Sequence, residues 1–295
     1  MNFWQRSLLL LSLCCTLVVP ARPAPLWAQG TATTTAAPAK GLVKVGSKEF
    51  TEQLVLGQMI ILLLRNAGFE VEDKTATGGT LAVRDALEKG DIDLYPEYTG
   101  TAVSLFHNVP ADALPTDGEG VYQLAQTLDA AEGFAWLEPA PLNNTYTLLV
   151  RQELIDQEIE RISDLAAFMN NNDAPLRLCV ESEFYARASD GLQGMQERYG
   201  FAFQDDNVLL MDLNETYDNL RNGDCDVAEG FATDGRIAAW GFQNLIDDLN
   251  FFPVYNPAPV VRQSRLDSYP EIADLLNGLS QQLDNATMSQ LNARV

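Results

Sequence analysis

Histidine is nearly missing from this sequence, His107 being the only one in 295 residues. That excludes most His-based metal sites and leaves little for a Ser-His-Asp triad. Basic residues are scarce as well: 19 Lys and Arg stand against 41 Asp and Glu, a formal net charge of −22. Such a chain repels polyanions, which makes nucleic acid and anionic membrane surfaces poor partners. Walker loops, Rossmann fingerprints and Ser elbows are absent, so nothing here calls for a nucleotide or any other cofactor. The apolar run from Leu8 to Val19 covers twelve positions and is too short to span a bilayer.

That run fits an export signal instead. It follows Arg6 and precedes small residues and prolines, and cleavage is expected after Ala28, with Leu26 and Ala28 in the −3 and −1 places. A lipoprotein needs a small residue just before its modified cysteine, which Leu13 before Cys14 and Cys14 before Cys15 fit badly. The expected layout is therefore a signal at 1–28, a flexible Thr/Ala-rich leader at 29–40 and a fold beyond it, in a periplasmic protein. Without Arg6 and Arg22 the exported part carries 17 basic and 41 acidic residues, a formal −24.

Beyond the leader, short β-type runs alternate with amphipathic helices. The first run, in "GLVKVGSKEF", ends at Gly46, and a helix follows from Thr51 to a stop at Gly68. A strand in "FEVEDKTAT", a helix in "GGTLAVRDALEKG" and a strand in "DIDLYPEY" complete a unit. The same order returns in "LRLCVESEF", "DGLQGMQERYG", "NVLLMDL", "NETYDNLRNG" and "DCDVAEGF". Phe50 to Gly90 is 40 residues and Phe184 to Gly223 is 39, and each Gly precedes its exit aromatic, Tyr98 or Phe231, by 8. Two similar α/β lobes follow, with parallel sheets whose strand ends carry the ligand site. Extended crossings near Leu142 and Phe251 assign 41–142 plus 251–295 to lobe I and 143–250 to lobe II, joined by a two-crossing hinge. An amphipathic helix from about Tyr269 returns to lobe I.

The pairs Asp91/Asp93 and Asp224/Asp226 each sit beside a helix-ending Gly and read as turn and sheet-edge carboxylates rather than metal ligands. Once Cys14 and Cys15 leave with the signal, Cys179 and Cys225 are the remaining thiols. They match Val45 and Ile92 of the first unit, on neighbouring strands, which leaves a disulfide and two buried thiols as open alternatives.

The aromatic pattern is the strongest functional signal. Tyr98 and Phe231 stand at matching strand exits, Tyr146 at the first crossing and Tyr255 at the second, all places that face an interlobe cleft. Aromatic faces attract a cation that hydrogen bonds cannot satisfy, above all a quaternary ammonium. Four desolvated faces supply roughly 2 to 8 kcal/mol, while micromolar binding needs about 8. Lys48 and Arg187, each just after the first strand of a lobe, are candidates to add a grip on a carboxylate. As cleft walls, these side chains are expected to remain partly exposed.

At "VGSKEFTEQLVLGQM", "GGT", "GDIDLYPEYTGT", "NNTY", "ATDGRI" and "FFPVYNPAPVVR" the chain resembles the glycine betaine/choline class of ABC-importer substrate-binding proteins, from Val43 to Asn292. The resemblance implies a type II periplasmic-binding-protein fold, a cage of Tyr98, Tyr146, Phe231 and Tyr255 around a trimethylammonium group, and Lys48, Thr101 and Arg187 on the carboxylate. It also implies a monomer that hands a small quaternary ammonium compound to an ABC permease without chemical change. Phe231 lacks a hydroxyl common there, and "ARASDG" matches loosely. Choline, carnitine, arginine and ergothioneine are rival ligands on the same fold, and a sensor or an enzyme is a rival of another class. The exit motifs hold no nucleophile–base pair, which speaks against the enzyme.

Overall fold

The computed structural model describes residues 40–172, 175–188 and 190–295. The expected export signal and leader, apart from Lys40, lie outside the described residues. In the first lobe β1 (Leu42–Lys48) leads into α1 (Thr51–Asn66), β2 (Glu70–Gly78), α2 (Thr80–Lys89), β3 (Leu94–Tyr98), α3 (Thr99–Thr101), α4 (Gly118–Ala130) and β4 (Phe134–Trp136). The chain crosses as β5 (Tyr146–Val150) and continues through α5 (Gln152–Ile155), α6 (Ile162–Asn171), β6 (Leu178–Glu181), α7 (Ser182–Ala186) and α8 (Leu192–Tyr199). Then come β7 (Val208–Met211), α9 (Leu213–Asn222), β8 (Val227–Phe231), α10 (Gly235–Trp240) and β9 (Gln243–Asn244). It returns as β10 (Pro257–Arg262) and ends in α11 (Gln263–Ser268), α12 (Glu271–Ser280) and α13 (Asn285–Asn292).

Local sequence explains most of these elements. In α1, Leu56, Ile60, Ile61 and Leu64 form one apolar stripe and are all buried, each side chain contributing about 1.5–3 kcal/mol. β3 is buried at every position. β2 is an edge strand carrying Glu70, Glu72, Asp73 and Lys74, charges that discourage pairing with another chain. Gly90 and Gly223 end α2 and α9 at φ +79° and +83°, a left-handed turn that releases the chain into β3 and β8. β1 runs two residues past Gly46, because Lys48 pairs with Gly78 of β2 beyond an irregularity in the register.

Among the described residues there are two five-stranded sheets, ordered β2-β1-β3-β10-β4 and β7-β6-β8-β5-β9. The expectation of purely parallel sheets needs correcting. β1 is parallel to β2 and β3, and β6 to β7 and β8, but β10 is antiparallel to β3 and β4, and β5 to β8 and β9. The cause is the hinge. A crossing chain enters its new lobe at the cleft, where the parallel strands end, so the strand it forms runs the other way. The register follows, with Tyr146, the first residue of β5, opposite Phe231, the last of β8, and Pro257 opposite Tyr98.

The repeat extends to side chains. Asp93 accepts a hydrogen bond from the Lys44 backbone N–H at 2.8 Å, and Asp226 accepts from that of Arg177 at 2.9 Å. Each carboxylate ties a helix–strand turn to the neighbouring strand, the structural role read from their spacing. α12 packs Ile272 and Leu276 into the lobe I core with Val43 and Ile60, while α13 places Met288 beside Leu56 and Leu142.

Cys179 on β6 and Cys225, just before β8, are joined by a disulfide with Cα atoms 5.8 Å apart and a sequence separation of 46. Closing a loop of that length restricts the unfolded chain by about 4 kcal/mol. The Cys179→Ala/Cys225→Ala double variant is therefore expected to unfold at lower urea concentration, with a loss of about 2–4 kcal/mol. Titration of denatured, unreduced protein should find no free thiol among the two. Two free thiols would overturn the bridge.

Candidate functional site

The strand ends of both lobes and both crossings converge on one cavity of about 260 Å³. Lobe I contributes Lys48 at the end of β1, Tyr98 at the end of β3, Thr101 in α3, and Gly79 and Thr80 at the start of α2. Lobe II contributes Phe231 at the end of β8, Glu181 at the end of β6, and Leu213 and Asn214 at the start of α9. The crossings add Asn144, Tyr146 and Tyr255. The sequence-derived residues Lys48, Tyr98, Thr101, Tyr146, Phe231 and Tyr255 thus meet at one surface.

Arg187 is not part of that surface. Its buried guanidinium bonds Asp190 at 2.8 and 2.5 Å and Glu183 at 3.2 Å, and lies 5.4 Å from the centroid of the Tyr146 ring. A guanidinium already shared by two carboxylates has little left for a ligand. Burial differs from expectation as well. Tyr98, Tyr146 and Tyr255 are 4%, 5% and 2% exposed, so these three walls are buried, while Phe231 is partly exposed as expected.

The rings form a connected set. Tyr146 meets Tyr255 edge-on at 5.5 Å and 89°, and meets Phe231 at 5.1 Å. Phe50 links Phe231 at 5.1 Å to Tyr98 at 6.2 Å and itself lines the cavity. The sequence marked Phe50 only as a spacing landmark, and its counterpart Phe184 is fully buried against Tyr146 at 4.8 Å. Two ring hydroxyls are anchored, Tyr98 donating to Glu52 at 2.8 Å and Tyr255 to Asp190 at 2.5 Å. Gly100 is needed where it stands, because a Cβ there would come within 2.7 Å of the Tyr255 ring. The walls are thereby fixed in orientation before any ligand contacts them.

Lys48 donates to Glu97 at 2.7 Å and its ammonium sits 5.3 Å from the Tyr98 centroid. Glu97 also accepts from the Tyr95 hydroxyl and the Tyr98 N–H. An ammonium has three donors, so those not taken by Glu97 remain available at the cavity. Acidic groups missed in the sequence lie there too: Glu181, Glu183, Glu49 and Asp212 all line it. Burial, and then the charge of Glu183, push the Glu181 carboxyl up to about 7, with Lys48 and Arg187 opposing and Glu49 adding. Glu229 behind it is fully buried, accepts from the Glu181 N–H at 3.2 Å, and is pushed well up by burial and by Glu181.

Glu52 joins the whole assembly. Its buried Oε1 accepts from Tyr98 at 2.8 Å and Asn144 Nδ2 at 2.9 Å, and its Oε2 from Thr233 Oγ1 at 2.6 Å and Asn292 Nδ2 at 2.9 Å. These donors come from β3, the first crossing, the second lobe and α13. His107, Asp129 and Glu132 also lie close together, but Arg84 is seated among them, bonding Asp129 twice at 2.9 Å and contacting Glu132. Its charge takes the place a cation would need.

Two similar lobes, a two-crossing hinge and a cavity between strand ends define a solute-binding protein of the two-lobed periplasmic type. Residues 41–295 match the family described as the substrate binding domain of ABC-type glycine betaine transport systems, and the chain belongs to that family. It is 35% identical over 260 residues to the glycine betaine-binding protein YehZ of Escherichia coli strain K12, covering 86% of this chain and 84% of the relative. A glycine-betaine-binding protein of Pseudomonas aeruginosa PAO1 is 35% identical over 259 residues, 86% and 82% of the two chains. The crystal structure described as a glycine betaine/carnitine/choline ABC transporter superposes with a TM-score of 0.68 at 28% identity, over 85% and 90% of the two chains. Binding proteins of ABC importers bind small ligands and deliver them to a permease. Among the described residues, no helix is long and apolar enough to cross a membrane.

Glu52→Gln keeps the shape but turns an NH₂ toward two donors, and is expected to cost about 2 kcal/mol or more in chemical denaturation. Wild-type stability against intact cooperativity would show that the four bonds carry no weight. A pH effect follows from Glu181, Glu229 and Glu52, all raised above the ordinary 4.5 chiefly by burial. Between 4.5 and about 7 the folded state holds more protons than the unfolded one, so stability falls as pH rises through that window. Melting temperature in ligand-free buffer should be higher at pH 5.5 than at pH 7.5, and the reverse order would contradict the assignment.

Proposed function

We propose that the lobes close around a quaternary ammonium compound of the glycine betaine type and pass it unchanged to an ABC permease. One observation carries this reading: the rings of Tyr98, Tyr146, Phe231 and Tyr255, joined by Phe50, line a single cavity with the Lys48 ammonium at its edge. A trimethylammonium group offers no donor, so ring faces are its natural partners, and Lys48, Thr101 and the start of α2, which no side chain caps, suit a carboxylate at the other end. The names of the relatives support the ligand class. The lobes are 41–142 with 251–295 and 143–250, a division supported by the strands of each sheet falling inside those limits. The protein acts as an exported periplasmic monomer, and performs no chemistry on its cargo.

Tyr98 is too enclosed for a clean test, since Tyr98→Ala would open a core cavity at a cost of about 3–5 kcal/mol. Phe231 is partly exposed and better suited. Phe231→Ala is expected to weaken glycine betaine and choline by about 1–2 kcal/mol in calorimetric titration, with only a small change in melting temperature, while Phe231→Tyr keeps the affinity. Undiminished binding by Phe231→Ala would remove the cage.

A further inference from the structure

The leading strand of each repeated unit delivers its last residue to the cavity, and the two carry opposite charge: Lys48 from β1 and Glu181 from β6. Their surroundings differ. Lys48 is paired with Glu97 at 2.7 Å, so the lobe I pole is a neutralised pair with spare donors. Glu183 shares Arg187 with Asp190, and Asp212 caps α9 by accepting from the Glu215 N–H. The Glu181 side chain makes no hydrogen bond or ion pair with any described residue, although its backbone N–H is held by Glu229. A partly buried carboxylate that lines the cavity and takes no protein donor is left to accept from water or from whatever enters the cavity.

We propose that Glu181 is a specificity-determining residue, accepting a hydrogen bond from a third group of the ligand, so that the site favours quaternary ammonium compounds bearing a hydroxyl or ring N–H over glycine betaine. This rests on the cage reading above, since the trimethylammonium group must first be fixed against the rings. Glycine betaine satisfies the rings and the Lys48 pole but brings no donor. Its negative end would stand in a cavity where Glu181 is already anionic or must take up a proton. Choline adds a hydroxyl donor, L-carnitine adds a hydroxyl while keeping the carboxylate, and ergothioneine adds ring N–H groups beside the same betaine. A charge-assisted bond of this kind discriminates on the order of tenfold or more, about 1.4 kcal/mol per decade.

Calorimetric titration of wild type, Glu181→Gln, Glu183→Gln and Phe231→Ala with these four compounds tests the proposal, with melting curves as a control for folding. In wild type at least one donor-bearing compound should bind about tenfold more tightly than glycine betaine. Glu181→Gln should abolish that advantage while glycine betaine binds as before or better. Glu183→Gln, whose carboxylate is already committed to Arg187, should leave the preference in place. If glycine betaine is the tightest ligand, if Glu181→Gln leaves the preference standing, or if Glu183→Gln abolishes it equally, the role of Glu181 is overturned. In those cases loss of affinity in Phe231→Ala still upholds the cage. If no quaternary ammonium compound binds folded wild type, both readings fall together.

Discussion

The structure turns on one buried acceptor. Glu52, the second residue of α1, is 3% exposed and takes hydrogen bonds from Tyr98, Asn144, Thr233 and Asn292. Burying a carboxylate is unfavourable, and that penalty is why its pKa is raised, but four donors fill the positions its two oxygens offer. The donors are far apart in sequence, so the bond set cannot form until both lobes, the first crossing and the last helix are in place. A cage wall, the hinge and the closing surface therefore share one carboxylate, and a change at any of them is felt at the others.

Around that acceptor the chain uses one plan twice and then breaks its symmetry at the cleft. Away from the cavity the correspondences hold in detail: Gly90 with Gly223, Asp93 with Asp226, Lys44 with Arg177. At the cavity they diverge. Phe50 lines the site whereas Phe184 lies in the core, and Lys48 faces Glu181 across the two first strands. Scaffold positions are constrained alike in both lobes because both must cap a helix and start a strand. Cleft positions carry no such shared requirement, so they have no reason to match.

The same division explains what could be read from the sequence. Helices, strands, the repeat and the meeting of Tyr98, Tyr146, Phe231 and Tyr255 follow from local period, capping glycines and position at strand exits. What escaped depends on contacts between distant segments. The antiparallel direction of β5 and β10 comes from where a crossing enters a sheet, which no periodicity encodes. Arg187 sat at a promising place after β6, yet Asp190 and Glu183, three and four positions away, hold it behind Tyr146. Glu52 was hidden by an adequate local explanation, since an acid in the first turn of a helix is favoured by the helix dipole alone. Glu181 lay in plain view in "CVESEF", but a strand-end acid looks like a solvated charge until the opposite lobe covers it.

The enclosure of the tyrosines sets how the cleft must work. The tyrosine rings are exposed by 5% or less, and among the bonds that join the lobes beside them are Thr233 to Glu52, Asn292 to the Thr233 carbonyl and Tyr255 to Asp190. The other three donors to Glu52, from Tyr98, Asn144 and Asn292, stay on the lobe I side and the crossing, so opening removes one bond of the four and admits water in its place. Exchanging protein donors for water costs little per bond, on the order of 1 kcal/mol. A latch of that strength holds the lobes together without locking them. Tyr98 is both a cavity wall and a donor to Glu52, so whatever wets or dries its ring also changes the surroundings in which the Glu52 bonds are made. The cavity wall and the bonds that join the lobes are thereby linked through the Tyr98 hydroxyl.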